Sequence, residues 1–269
     1  MKQLHKGQFY GQINETLYLD GLTLTDTEYT HNKVDWHYHE MPYFTFLLQG
    51  GLMEGNKKDV YHCSAGDLLF HNWQEAHYNI KPKGFARGFH IELDKKWISQ
   101  FDLDLKKIQG SIQITDPDIK FLLYKIFRET KIHDNTTSIS IQNLLLETFV
   151  GMENKRNMHS KGKPAWVSKI NEILYDHNVN GLSLSQLSDM LDIHPVHLSR
   201  DFSKYFHCNL GEYIRKLKVE KSLSLLSING YSLMDITFAC GFYDQSHFIR
   251  CFKEIIGTSP LAYRKILLD

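Results

Sequence analysis

Residues 182–213, LSLSQLSDMLDIHPVHLSRDFSKYFHCNLGEY, are echoed by residues 231–263, YSLMDITFACGFYDQSHFIRCFKEIIGTSPLAY. Ser183, Leu184 and Leu187 align with Ser232, Leu233 and Ile236, each 49 residues apart. Leu198, Arg200, Phe202 and Tyr213 align with Phe248, Arg250, Phe252 and Tyr263, each 50 apart. The one-residue slip belongs in a turn, where an insertion costs least. Each copy follows one physical plan. Ser183 with Gln186, and Ser232 with Asp235, have the spacing of capping boxes that open a helix. A turn follows near Asp192-Ile193 or Gly241-Phe242, and a second helix starts near Pro195 or Asp244. On that helix Leu198, Phe202 and Phe206, or Phe248, Phe252 and Ile256, recur at i, i+4, i+8 and form an inner stripe. The opposite surface offers Val196, Ser199, Arg200 and Ser203 in the first copy. In the second it offers Ser246, Ile249, Arg250 and Lys253.

Two short helices joined tightly, the second projecting polar and basic groups, are a helix-turn-helix plan. Asn209 with Glu212 has the spacing of a further cap, opening a rigid connector through IRKLKVEKSLSLL. Ser259-Pro260 opens the closing helix in the same way. Helical hairpin repeats also build scaffolding bundles, and a single exposed arginine is often only a solvated surface residue. The paired arginines, each two residues past an inward apolar anchor, favour DNA.

Composition bounds the rest. The 269 residues are 42% hydrophobic and 23% charged, which predicts packed cores in one large domain or two ordinary ones. Lys+Arg and Asp+Glu both number 31, so net charge names no partner. Residues 1–155 hold 17 basic and 20 acidic residues, net −3, and residues 156–269 hold 14 and 11, net +3. That sign suits nucleic acid in the second half without proving it. No apolar run approaches bilayer length, so a cytoplasmic protein without membrane contact is expected. Cys63, Cys208, Cys240 and Cys251 have no CxxC spacing and are expected as buried thiols.

Residues from about 10 to 95 read as short strands punctuated by glycine turns, the pattern of a sandwich or small barrel. TDPDIKFLLYKIFRE then changes to helical period through Ile119, Leu122, Leu123, Ile126 and Phe127, with Pro117 at the first helical position. SISIQNLLLETFVG reads as a second helix, with Ile141, Leu144, Leu145 and Phe149 on a wide apolar arc. Such an arc packs inside its own domain or against another subunit. The polar, basic run ENKRNMHSKGKP at 153–164 marks the domain boundary.

The fold class expected is two-domain α+β, with the boundaries 1–155, a linker at 156–164, and 165–269. Residues 166–266 resemble the C-terminal domain of AraC/XylS-family transcription regulators. DITFACGFYDQSHFIRCFKEIIGTSPLAYRK carries the resemblance most specifically, through Gly241-Phe242, Phe248, Arg250, Phe252-Lys253, Gly257, Pro260 and Tyr263-Arg264. The first copy departs from the pattern. Asp192 stands where the family usually has glycine, and Ser188 and Thr237 replace small alanines. Residues 30–93 resemble, less specifically, the family's cupin-like effector domain.

The resemblance implies a sequence-specific regulator whose two recognition helices enter successive major-groove segments of double-stranded DNA. The matching positions are the eight exposed residues named above. Arg200 and Arg250 suit bidentate reading of guanine, which neither lysine nor serine can copy. Val196 and Ile249 suit contact with a thymine methyl. Lys204, Lys216 and Lys253 suit phosphate. The resemblance further implies a small-molecule effector in the first domain, a homodimer through the helices at 117–150, and contact with RNA polymerase where the regulator activates.

DWHYHE (35–40) and the later His77 raise a competing possibility. Metal-bearing cupins have two histidines one residue apart, a glutamate four or five further on, and a distant histidine. Here those glutamate positions hold Tyr43 and Phe44, and Glu40 points oppositely to His39 along a strand. At most three nitrogen ligands remain, a set that zinc or iron can accept, but Glu40's spacing weakens the metal case and no metal, cofactor or catalytic residue is expected. His37, His39, Tyr43, His71 and His77, with Phe46 and Trp73 as further candidates, suit instead a pocket for a sugar or other small polar ligand. A purely dimerising first domain and a metal-dependent cupin enzyme are the alternatives.

Overall fold

The computed structural model describes residues 1–268 apart from Trp73, Lys106, Lys107, Gln109 and residues 161–163 and 177–181. For residues 157–160, 171, 175 and 176 it describes the backbone alone. Close packing divides the chain into two units: Met1–Asp116 with Ile126–Ile141, and Pro117–Lys125 with Gln142–Asp269.

The first unit is β-rich. Its strands are β1 (Lys2–Leu4), β2 (Gln12–Leu19), β3 (Leu22–Glu28), β4 (Lys33–His39), β5 (Tyr43–Gln49), β6 (Gly51–Asn56), β7 (Val60–Ser64), β8 (Leu68–His71), β9 (His77–Ile80), β10 (Arg87–Leu93) and β11 (Ser111–Ile114). They form two sheets, ordered β1-β4-β9-β6-β7 and β11-β8-β5-β10-β3-β2. Leu47 and Leu69 of the second sheet pack on Leu52 and Cys63 of the first, so apolar inner faces meet. Strand β4 buries Val34 and exposes Lys33 and Asp35, and a register shift between Val34 and His37 then moves the buried face to His37 and His39. Strand β5 is buried along its whole length, as befits an apolar run covered on both faces. Asp26 holds Arg87 bidentately across neighbouring strands, at 2.8 Å to Nε and 2.6 Å to an Nη. A short helix α1 (Lys95–Gln100) is capped by Asp94, whose side chain accepts from the Trp97 amide.

Helix α2 (Pro117–Glu129) begins at the proline, and its expected stripe is almost entirely buried. Lys120 is buried as well, with its Nζ 2.7 Å from Glu220 Oε1. Helix α3 (Thr137–Ser160) buries Ile141, Leu145 and Phe149 and leaves Ile139 and Val150 exposed. It runs through residues 156–160, where the sequence suggested a linker; residues 161–163 of that segment lie outside the described residues.

The second unit continues with α4 (Ala165–Asp176), α5 (Leu184–Leu191), α6 (Pro195–Phe206), α7 (Leu210–Leu226), α8 (Leu233–Ala239), α9 (Gln245–Ile256) and α10 (Pro260–Leu268). Both capping boxes form: Ser183 and Gln186 exchange hydrogen bonds, as do Ser232 and Asp235. Asn209 caps α7 by accepting from the Glu212 amide. Asp192 takes the left-handed conformation (φ 53°), close to that of Gly241 (φ 76°), so the turn keeps its shape without glycine. The other two departures are also satisfied in place. Ser188 donates to the Ile193 carbonyl, and Thr237 donates to the Leu233 carbonyl at 2.7 Å, so neither buried hydroxyl is stranded. All four cysteines are buried thiols. Among the described residues no helix is long and apolar enough to cross a membrane.

Candidate functional site

The two helix-turn-helix units are built alike. Leu198, Phe202 and Phe206 of α6, and Phe248, Phe252 and Ile256 of α9, are buried along the inner stripe. Helical geometry then leaves the intervening positions facing outward. Val196, Ser199, Arg200, Ser203 and Lys204 are exposed on α6, and Ser246, Arg250 and Lys253 on α9; Ile249 is half-buried. The Arg200 guanidinium lies 3.3 Å from both Asp201 Oδ1 and His197 Nδ1. Lys216 is differently placed. Its Nζ stands 2.9 Å from Asp118 Oδ1 and 3.7 Å from Glu212 Oε1, so its charge already has partners.

One contact in this unit had no signal in the sequence. Lys218 Nζ donates to the Gly241 carbonyl at 2.6 Å and lies 5.7 Å from the centre of the Phe242 ring. The connector helix thereby holds the turn that aims α9.

In the first unit, His37, His39, Tyr43, His71 and His77 gather between the sheets, although their strands are far apart in the chain. His37 and His77 oppose each other across β4 and β9, with ring centres 4.2 Å apart. Tyr43 stacks on His71 at 4.3 Å and donates its hydroxyl to His77 Nε2 at 3.1 Å. Glu40 does point away, as expected, and meets His5 at the surface. Phe46 is buried on the opposite face of β5 from Tyr43 and Thr45, so it is core. Trp73 lies outside the described residues.

The cavity beside this cluster is small, about 40 Å³ below an open mouth, and His37, His39, Tyr43 and His77 line it. So do Phe9, Tyr10, Glu54 and His90, which the sequence reading did not select. Phe9 stacks on His90 at 3.8 Å. His90 has both ring nitrogens engaged, one by Tyr29 at 3.2 Å and one by Thr45 at 3.3 Å. Glu54 accepts from Asn79 at 3.1 Å, and its other oxygen is 3.4 Å from His71 Nδ1.

Burial governs the ionisation here. It raises the Glu54 carboxyl to about 8, against the opposing Asn79 hydrogen bond, so this acid is mostly neutral at pH 7. It lowers His77 and His90 to about 3 and holds His39 and His71 well below their ordinary value. His37 is lowered too, again chiefly by burial. The buried wall of the cavity therefore presents uncharged imidazoles, phenols and a protonated acid, and Lys81 also lines the cavity.

The donor set also fits a metal ion. His37, His39 and His77 each offer a ligand atom within 4.8 Å of the others. Imidazole nitrogen suits zinc, copper, nickel and iron, and three such ligands suffice for an open site.

Against known proteins, the family described as a helix-turn-helix domain matches residues 187–266. The probable transcription factor PqrA of Proteus vulgaris is 31% identical over 85 residues, which are 32% of this chain and 70% of that protein. The HTH-type transcriptional regulator GbdR of Pseudomonas aeruginosa is 30% identical over 84 residues, 31% of this chain but only 23% of GbdR. A ToxT structure from Vibrio cholerae aligns over 91% of this chain and 99% of its own. It does so at 14% identity and a TM-score of 0.40, too low to carry the fold by itself. The kinship is with transcription regulators rather than enzymes. On the paired helix-turn-helix units and the match to PqrA, the chain belongs to the AraC/XylS family of transcription regulators.

Proposed function

We propose that this chain is a sequence-specific regulator of transcription. Its helices α6 and α9 read successive major-groove segments of double-stranded DNA, and a small molecule bound in its β-rich unit controls it. The observation that carries this reading is the matched placement of Arg200 and Arg250. Each is exposed on the second helix of its unit, two residues past a buried anchor. Lys204 and Lys253 contact phosphate in this reading, Ser199, Ser203 and Ser246 add polar contacts, and Val196 and Ile249 meet thymine methyls. Lys216 contributes less than Lys204, because Asp118 and Glu212 already pair it.

The first unit acts as a cupin-like sensor domain, and the open cavity favours this over a purely dimerising scaffold. Its aromatic and neutral polar walls suit a small polar organic effector, a sugar among them. The protein works in the cytoplasm as a homodimer through the exposed face of α3, with RNA polymerase as a further contact at promoters. The test is selection from random duplexes followed by footprinting with the full chain. Protection of two major-groove segments about one helical turn apart is expected. Equal affinity for all sequences would defeat the reading.

A further inference from the structure

The two helix-turn-helix copies differ in length by one residue, and the structure locates it. Asp192-Ile193 matches Gly241-Phe242 at a spacing of 49, whereas the caps His194 and Asp244 are 50 apart. Tyr243 is therefore the residue without a counterpart. Its neighbours are fixed. Phe242 is buried beside Phe248, with ring centres 5.2 Å apart, and its amide donates to the Thr237 carbonyl at 3.0 Å. Asp244 caps α9 by accepting from the His247 amide at 2.8 Å. In the first copy Ile193 leads straight into the cap and packs on the core of its unit.

Tyr243 does not pack. It is 90% exposed, the most of any large hydrophobic side chain among the described residues, and its ring and hydroxyl meet no partner among them. Water wets nearly all of it, so folding gains little by it. A fixed turn nonetheless projects it one residue before the cap of α9, and in such units the N-terminal residues of the second helix enter the major groove. The groove there is walled by sugar and phosphate. A tyrosine suits both, its ring covering a deoxyribose and its hydroxyl donating to a phosphate oxygen.

We propose that Tyr243 grips the DNA backbone, a contact that the second unit has and the first lacks. The proposal rests on the regulatory reading and adds to it an inequality between the two units. A hydroxyl displaces no condensed cation, whereas a lysine does, so this grip adds affinity without salt dependence or sequence choice.

The test is binding of the full chain, Tyr243→Phe and Tyr243→Ala to a selected duplex and to a scrambled one, across a salt series. Tyr243→Phe is expected to weaken both complexes about 2- to 10-fold, the range of one hydrogen bond. Tyr243→Ala should cost about 10-fold or more, because the covered ring is lost too. Both variants should keep the parent's salt slope. The scrambled duplex registers the grip even if base reading fails, so the two failures are distinguishable. Parent-like affinity of Tyr243→Ala on both duplexes would overturn the proposal and leave the ring for a protein partner. A loss confined to the selected duplex would make Tyr243 a base reader, and a lowered salt slope would mean that it acts by placing a lysine. Either result overturns the backbone grip.

Discussion

The helix-turn-helix units and the β-rich cavity place function on opposite sides of their cores. In α6 and α9 the apolar stripe turns inward and the side chains proposed to act stay in solvent, at little cost to stability. In the β-rich unit polar side chains are themselves the interior, and His37, His39, His71, His77, His90, Glu54 and Glu92 are taken out of water. A surface used for reading can thus change residue by residue, whereas a buried polar cluster ties stability to protonation.

The largest effect expected from this contrast is acid sensitivity confined to the first unit. His77 and His90 titrate near 3 when folded against an ordinary 6.5, and His37, His39 and His71 are lowered in the same direction by burial. Between those values the unfolded chain binds more protons, so stability is full above pH 6.5 and is lost as pH falls toward 3. Glu54 and Glu92 oppose this by comparable shifts: burial raises them from 4.5 to about 8 and about 7, so their contribution is full below 4.5 and falls as pH rises to those values. The five lowered histidines set the net loss in acid. Circular dichroism and heteronuclear NMR on the full chain should show the β-rich signals lost first on acidification while helical signals persist. Sheet resonances unchanged down to pH 3 would contradict it. Next in size, Phe252→Ala should cost about 3–5 kcal/mol by denaturant unfolding, since it empties a fully buried ring site. A cost below about 1 kcal/mol would mean that the inner stripe is not the core of its unit.

The same contrast explains what was legible in the sequence. The second unit is specified by local signals: caps three residues apart, apolar stripes at i, i+4, i+8, and a repeat that states everything twice. Asp192 was the doubtful point there, and its left-handed backbone answers it. The β-rich unit shows only part of its plan locally. Period two put His37 and His39 on one face, but their meeting with His77 and Tyr43 depends on pairing between strands about forty residues apart. Glu54 was readable in principle, because Leu52, Glu54 and Asn56 share the buried face of β6. Phe9 and Tyr10 carry no periodic signal and reach the cavity only through tertiary folding. The polar, basic run read as a linker is also compatible with helix, and α3 extends into it as far as Ser160.

Smaller effects test whether the two outer surfaces are equivalent. Arg200→Ala and Arg250→Ala should each lose about 1–3 kcal/mol of specific binding and relax one base preference, at different positions of the site. Base-by-base profiles identical to the parent would deny either arginine a reading role. Lys204→Ala should weaken all sequences alike and lower the salt slope by about 1. Lys216→Ala should change that slope less, given its Asp118 and Glu212 partners. A slope change as large as that of Lys204→Ala would mean that DNA displaces those carboxylates.

The smallest effect concerns one of the places where the two copies differ in backbone chemistry. Asp192 and Gly241 end α5 and the turn after α8 with φ of 53° and 76°. An L residue in that region meets steric opposition of roughly 1–2 kcal/mol, less for aspartate than for most, while glycine pays more backbone entropy on folding. The two terms nearly cancel, with the steric one ahead. Asp192→Gly should therefore stabilise the helical unit by about 0.5 kcal/mol, and leave DNA reading by α6 unchanged, because the turn already has the shape glycine would give it. Thermal unfolding monitored through helical signals decides the matter. A destabilised Asp192→Gly would show that the aspartate side chain holds the first turn through a contact stronger than its strain, which would make the two copies mechanically different.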